Sequence, residues 1–283
     1  MRGGATLATL MFWRYALAGA LLVPLALGAG GAPGRAGLAP GGARPALATL
    51  VVAGAGQGAV AFLSLSALRW IPVGTLGFLF YSFPAWVTLF AAVRGSERPE
   101  ARRLAALALS FVGIACTVGL PGGAAATAAG SPWPGVLLAL AAAVVYALYI
   151  PYLGRLQARL TPALASAYVC LGTAAYFLVG SGFGVQLALG REAWQAIALL
   201  VLPCTVLAFL AFMRGLDRLG PVRTAIVSTV EPLFTATLGA VVLAQPLTPA
   251  MLGGGVLIAA AVLLLQLPPR RAAIAPTAAR RRG

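Results

Sequence analysis

Glu231 is the one acidic residue set well inside an apolar run. It lies about eight residues into the stretch 223–243 and is followed at once by Pro232. If that run crosses a bilayer, a carboxylate at its depth costs about 2.5–3.5 kcal/mol on insertion scales, so it must face a cavity, a partner or a proton route. Pro232 withholds a backbone donor from the preceding turn, which predicts a kink there. Two chemistries fit Glu231. One is contact with a solute or reversible protonation. The other is a structural hydrogen bond, with the acid protonated or paired to Arg14, the only other charge inside an apolar run. Around these two stand Gln57, Ser64, Tyr81, Ser82 and Trp86 in the first half of the chain, and Tyr146, Tyr149 and Thr229 in the second. Tyr81 and Ser82 precede Pro84 much as Ser228 and Thr229 precede Pro232, so both pairs are expected to line one central cavity. Trp70, Trp133 and Trp194 sit at the ends of apolar runs, where indole rings anchor a helix at the interface.

Enzymatic chemistry finds little to work with. The chain has no His, no pair of carboxylates at catalytic spacing, no Gly-rich phosphate loop ending in Lys and no Asp pair to hold Mg²⁺. Cys116, Cys170 and Cys204 all lie in apolar runs without close spacing, which suits small packing residues better than a disulfide framework or a metal site. No catalytic residue, metal or cofactor is expected.

The elements that would position these residues follow from composition. Of 283 residues 61% are hydrophobic and 9% charged, against about 25% charged in a soluble domain. A helix crossing about 30 Å of hydrocarbon needs roughly 20 residues. Segments 7–28, 46–68, 73–93, 104–120, 134–153, 162–180, 194–213, 223–243 and 250–267 qualify, giving an all-α membrane protein with nine transmembrane helices as written. Segment 7–28 is too long for a signal-peptide core and carries Arg14, so it reads as a retained helix. The net charge of +15 comes wholly from Arg, in the short gaps between apolar runs. That is a topology pattern rather than a nucleic-acid surface.

A short pattern occurs twice. Arg69-Trp-Ile-Pro72-Val73-Gly-Thr75 and Arg218-Leu-Gly-Pro221-Val222-Arg-Thr224 both read R-x-x-P-V-x-T. After a one-residue slip the register continues: Pro84 aligns with Pro232, Glu97 with Gln245 and Leu104 with Leu252. Five apolar spans separate the copies, and an odd number of crossings turns the second upside down. Such an inverted repeat points towards transport. Arginine placement agrees. With the C-terminus in the cytoplasm, sixteen arginines fall inside (35, 44, 94, 98, 102, 103, 155, 159, 214, 218, 223, 270, 271, 280, 281 and 282) and only Arg2, Arg69 and Arg191 outside. The domain reading is 1–123 for a first repeat, 124–269 for a second and 270–283 for a basic cytoplasmic tail. The first repeat holds four spans and the second five, so the chain is expected to begin one helix late, as a nine-helix variant or through a start codon placed downstream of the true one.

Read with these motifs, the whole chain resembles an EamA-type transporter of the drug/metabolite transporter superfamily. Trp13-Arg14-Tyr15 with the run to Pro24 is similar to the family's second helix. Ile71-Pro72-Val73-Gly74 with Phe80-Tyr81-Ser82-Phe83-Pro84 resembles the fourth, and Glu231-Pro232-Leu233-Phe234 the ninth. Gln245-Pro246-Leu247-Thr248-Pro249 resembles the turn before the tenth, with Gln245 where the family carries Glu. The resemblance implies ten helices in two five-helix inverted repeats, here without the first helix and its Trp-Gly pair.

A polar solute needs a midplane cavity closed alternately from either side, and helices that approach closely or bend. Gly54, Gly56 and Gly58, and the run Gly253–Gly255, read either as hinges beside such a pore or as ordinary small-residue packing. The functional expectation is a secondary permease of the inner membrane moving a small organic metabolite, such as an amino acid or related compound. Export is the direction that the resemblance implies. The alternative is a non-transporting scaffold or truncated paralogue. Its partners are the solute and membrane lipid, with no nucleic acid, and a homodimer stays open. The candidate residues are Glu231, Arg14, Tyr81, Ser82, Gln57, Tyr146 and Thr229, with Pro84, Pro232, Gly54 and Gly58 for kinks and packing.

Overall fold

The structure, a computed structural model, describes residues 6–28, 43–94, 101–118, 131–157, 162–208, 211, 230–245 and 247–266. Among these residues every regular element is helical. In chain order they are α1 (Leu7–Gly28), α2 (Ala43–Ala48), a π-helical stretch Thr49–Ala53 running into α3 (Gly54–Ala67), then α4 (Val73–Phe80), α5 (Phe83–Val93) and α6 (Ala101–Val118). There follow α7 (Trp133–Gln157), α8 (Pro162–Gly180), α9 (Arg191–Val201), a second π-helical stretch Leu202–Leu207, α10 (Glu231–Leu243) and α11 (Pro249–Gln266). Among the described residues five runs are long and apolar enough to cross a membrane: Leu7–Ala26, Ala46–Ala67, Val73–Phe90, Trp133–Ile150 and Ala163–Gly180. Shorter apolar helices cover Leu104–Thr117, Glu231–Leu243 and Pro249–Leu265. The all-helical membrane fold read from hydropathy is the fold observed.

The expected count of nine spans is not reproduced among the described residues, where 194–213 yields only α9 and the π-helical stretch after it, and proline explains the clearest departure. Segment 73–93 is two helices. Pro84 has no N–H to give the Phe80 carbonyl, and its ring crowds that carbonyl, so α4 stops at Phe80. The chain tightens through Tyr81 and Ser82, with Ser82 N–H donating to Leu79 O at 3.2 Å, and restarts as α5 with Pro84 in its first turn. Segment 223–243 is expected to carry Glu231 within a helix kinked at Pro232. The described part begins with Val230 in a turn and Glu231 at the start of α10, with Pro232 also in the first turn, where a missing donor costs nothing. Residues 223–229 lie outside the described residues.

The helices pair in a way that the inverted repeat requires. α4 lies against α10, with Val73 facing Gly239, Gly74 facing Ala236 and Gly77 facing Thr235. Numbers rise along one helix as they fall along the other, so the two are antiparallel. α6 lies against α11 in the same sense: Gly113 meets Ile258, while Thr117 meets Gly254. In the repeat register α6 and α11 are counterparts, since Leu104 matches Leu252, whereas α10 is the counterpart of α5, since Pro84 matches Pro232. A helix packed antiparallel on its own counterpart, as α6 is on α11, is what a pseudo-two-fold axis in the membrane plane produces. Elsewhere, α1 runs antiparallel to α8, with Gly19 against Leu171 and Tyr15 stacked on Phe177, whereas α3 runs parallel to α8, with Gly54 on Gly172 and Gly58 on Tyr176.

Small residues allow this closeness, because lipid offers helices no hydrophobic gain for associating. A Cβ at Gly54 would fall on the Gly172 backbone, and one at Gly58 on the Tyr176 ring. Both glycines therefore serve packing. Phe78, Leu79, Ile71, Val136, Ala139, Ala236 and Ile258 form one buried cluster where α4, α7, α10 and α11 meet. A second cluster, including Met11, Tyr15, Cys170, Phe177 and Ile197, joins α1, α8 and α9. Val241 and Val242 of α10 are 77% and 70% exposed, as side chains solvated by lipid would be.

Candidate functional site

The break between α4 and α5 meets the start of α10. At the end of α4 the Tyr81 hydroxyl donates to the Glu231 carboxylate (Oε2) at the start of α10. Each residue owes its position to a neighbouring proline, Pro84 stopping α4 and Pro232 sitting at the head of α10. The Glu231 residue is exposed, so its carboxylate can be reached. Ser82, fully buried beside Tyr81, donates its hydroxyl to Leu79 O at 2.6 Å and accepts from Trp86 Nε1 at 3.2 Å. Ser82 thus holds the break together, and its side chain is spent on the protein.

An aromatic cluster extends from the break. The Tyr146 ring of α7 packs edge-on to Phe83 at 4.7 Å and to Phe80 at 5.1 Å, and lies within electrostatic reach of Glu231. Tyr146 meets Tyr149 at 5.4 Å, and Tyr149 donates to Gln57 Oε1 of α3 at 2.7 Å. Residues from α3, α4, α5, α7 and α10 therefore form one continuous polar-aromatic strip, with a single carboxylate at one end. Aromatic faces tolerate a cation, and a carboxylate attracts one or takes a proton.

Arg14 lies elsewhere. Its Nε donates to Thr205 Oγ1 at 3.0 Å, and its guanidinium sits 5.1 Å from the centre of the Tyr15 ring. Thr205 is in the π-helical stretch after α9 and donates in turn to the Leu200 carbonyl at 2.8 Å. The alternative in which Arg14 neutralises Glu231 is corrected: the partners are Thr205 for one and Tyr81 for the other. Thr229 lies outside the described residues. So does the second copy of R-x-x-P-V-x-T.

The first copy of that motif sets helix ends. Pro72 precedes the first turn of α4, Val73 N–H is bonded to Gln245 Oε1 at 2.9 Å, and Thr75 donates to Met251 Sδ at 3.3 Å. Sequence reasoning singled out neither Thr205 nor the flanking Phe80 and Phe83 as site residues. A threonine two residues after Pro203 in an apolar run was the available signal for Thr205. No group of three or more His, Cys, Asp or Glu that could hold a metal ion occurs among the described residues.

The EamA-like transporter family matches the chain twice in tandem, over residues 3–119 and 133–267. The chain belongs to the EamA-like transporter family. This EamA-like protein is therefore a multi-pass membrane transporter. A solved crystal structure of another protein, 23% identical, covers 93% of this chain and 90% of its own with a TM-score of 0.62, and so shares the fold. No curated protein matches the chain.

Proposed function

We propose that this EamA-like protein is a secondary transporter that moves a small organic metabolite, an amino acid or related compound, out across the inner membrane by alternating access. The observation that carries this reading is the meeting of Tyr81, at the break between α4 and α5, with Glu231, at the head of α10. Discontinuous helices at a repeat interface form the substrate and ion sites of inverted-repeat transporters. Glu231 is the substrate or coupling residue, with Tyr81, Tyr146 and Gln57 along the same strip. Arg14, held by Thr205, is a second polar position within the bundle. The arginine distribution supports a cytoplasmic C-terminus.

The test is counterflow in proteoliposomes preloaded with a mixed pool of amino acids and small organic acids and amines, with labelled members added outside. Accumulation of at least one labelled solute is expected. Glu231→Gln should lower its turnover at least tenfold or abolish its dependence on an imposed pH gradient. Absence of flux for every solute would favour a non-transporting scaffold. A Glu231→Gln protein with unchanged turnover at every pH would remove Glu231 from the transport cycle.

A further inference from the structure

Gln245 stands out in the sequence only as an amide where the family pattern has Glu, yet the structure gives it a task. α4 begins after Pro72, which has no side-chain acceptor, so its first helical N–H lacks a cap of its own. That N–H, on Val73, donates to Gln245 Oε1 at 2.9 Å, across 172 positions of chain. The turn after α10 delivers the amide. Ala244 adopts a left-handed conformation with φ of 51°, which L-residues rarely take, and Gln245 N–H bonds the Gly239 carbonyl at 3.2 Å. A Cβ at Gly239 would stand 2.6 Å from Val73 Cγ1 and 3.2 Å from Gln245 Oε1, so the bare glycine keeps the approach open. At the other end of the same helix pair, Tyr81 donates to Glu231. Antiparallel α4 and α10 are thus bonded at both ends, with Gly74 against Ala236 and Gly77 against Thr235 between.

We infer that Gln245 is a positioning residue: by capping Val73 it holds α4 in the axial register that sets the Tyr81 hydroxyl on Glu231. The eight residues from Val73 to Phe80 make a lever about 12 Å long at 1.5 Å per residue. An axial slip or rotation at Val73 is carried along this rigid piece to the break at Tyr81. The amide accepts through an oxygen that does not titrate in the range of a carboxylate, so the cap persists in acid. The consequence for flux rests on the proposed transport role of Glu231. The register itself does not.

The experiment uses the full chain in nanodiscs and follows the infrared carboxyl band of Glu231, assigned by its loss in Glu231→Gln. Gln245→Asn withdraws the acceptor by one methylene, and Gln245→Leu removes it. Both should move the band to where Tyr81→Phe puts it, whereas Gln245→Glu, which retains an acceptor at a helix N-terminus, should leave it in place. In proteoliposomes supplied with labelled L-amino acids, Gln245→Asn should lower turnover about fivefold, the size of one ordinary hydrogen bond, and Gln245→Glu should restore it. An unmoved band in folded Gln245→Asn overturns the inference whatever the flux. A band that moves while Glu231→Gln transports normally supports the positioning role and counts against the transport reading alone. Should Gln245→Leu fail to fold, Gln245→Asn decides.

Discussion

Three consecutive glycines open α11, and the structure gives each a different fate on substitution. A Cβ at Gly253 meets nothing within 4 Å. A Cβ at Gly254 would land on Thr117 Oγ1 and stand 2.5 Å from both the Gly113 carbonyl oxygen and the Thr117 amide nitrogen of α6. At Gly255 it would strike the Phe78 ring, which is 0% exposed and has nowhere to turn. Ordinary carbon contacts lie at 3.4–4 Å, so Gly254→Ala obliges α6 and α11 to part by about 1 Å against backbone that cannot yield. A gap of that size forfeits a quarter to a half of each dispersion contact across the interface. The expected cost is about 1–3 kcal/mol, the usual range for overpacking. At about 2–4 °C per kcal/mol, the melting temperature should fall by roughly 2–12 °C. Gly253→Ala should be neutral or slightly stabilising, because it removes glycine's helix cost of about 1 kcal/mol without a clash. Thermal unfolding of the purified protein in one detergent, followed by tryptophan fluorescence, compares the two variants directly. Equal losses at Gly253 and Gly254, or no loss at Gly254, would refute the antiparallel α6–α11 contact. Such a result would return the glycine run to a hinge.

Two further outcomes follow from single hydrogen bonds. Tyr149→Phe removes the 2.7 Å bond between α7 and α3 and should cost about 1 kcal/mol, with Gln57→Leu adding little on top of it in a double-mutant melting experiment. Thr205→Val keeps the shape of the side chain but denies Arg14 Nε its acceptor. A loss of about 1.5–3 kcal/mol is expected in thermal unfolding, and Arg14→Lys should not compensate, since an ammonium has no Nε to place at that oxygen.

Much of the fold is legible without coordinates because hydropathy is a local sum. The ends of α1, α8 and α11 fall within a residue or so of the runs 7–28, 162–180 and 250–267. The inversion is legible too, because it depends only on counting crossings between the two R-x-x-P-V-x-T copies. Legibility declines where proline acts. Pro84 and Pro232 each announce a disturbance, but whether a proline kinks a helix or separates two depends on whether neighbours satisfy the freed backbone groups. At Tyr81 and Ser82 the tightened turn and the Ser82 hydroxyl, which donates to the Leu79 carbonyl, do so. Gly54 and Gly58 show the same limit, since their lack of a side chain is plain in the sequence and their facing partners, Gly172 and Tyr176, are not.

The sequence by itself determined that this chain is a helical membrane protein built from an internal repeat, with one carboxylate that must be accounted for at membrane depth. Those conclusions rest on composition, run length and parity, which survive an error of several residues. Only the tertiary structure decided that Glu231 belongs to Tyr81, Arg14 to Thr205 and Val73 to Gln245. Each residue of a helix turns the side chain by about 100° and advances it 1.5 Å. An uncertainty of one position therefore changes the face that a residue presents, and the crossing of two helices selects which faces meet.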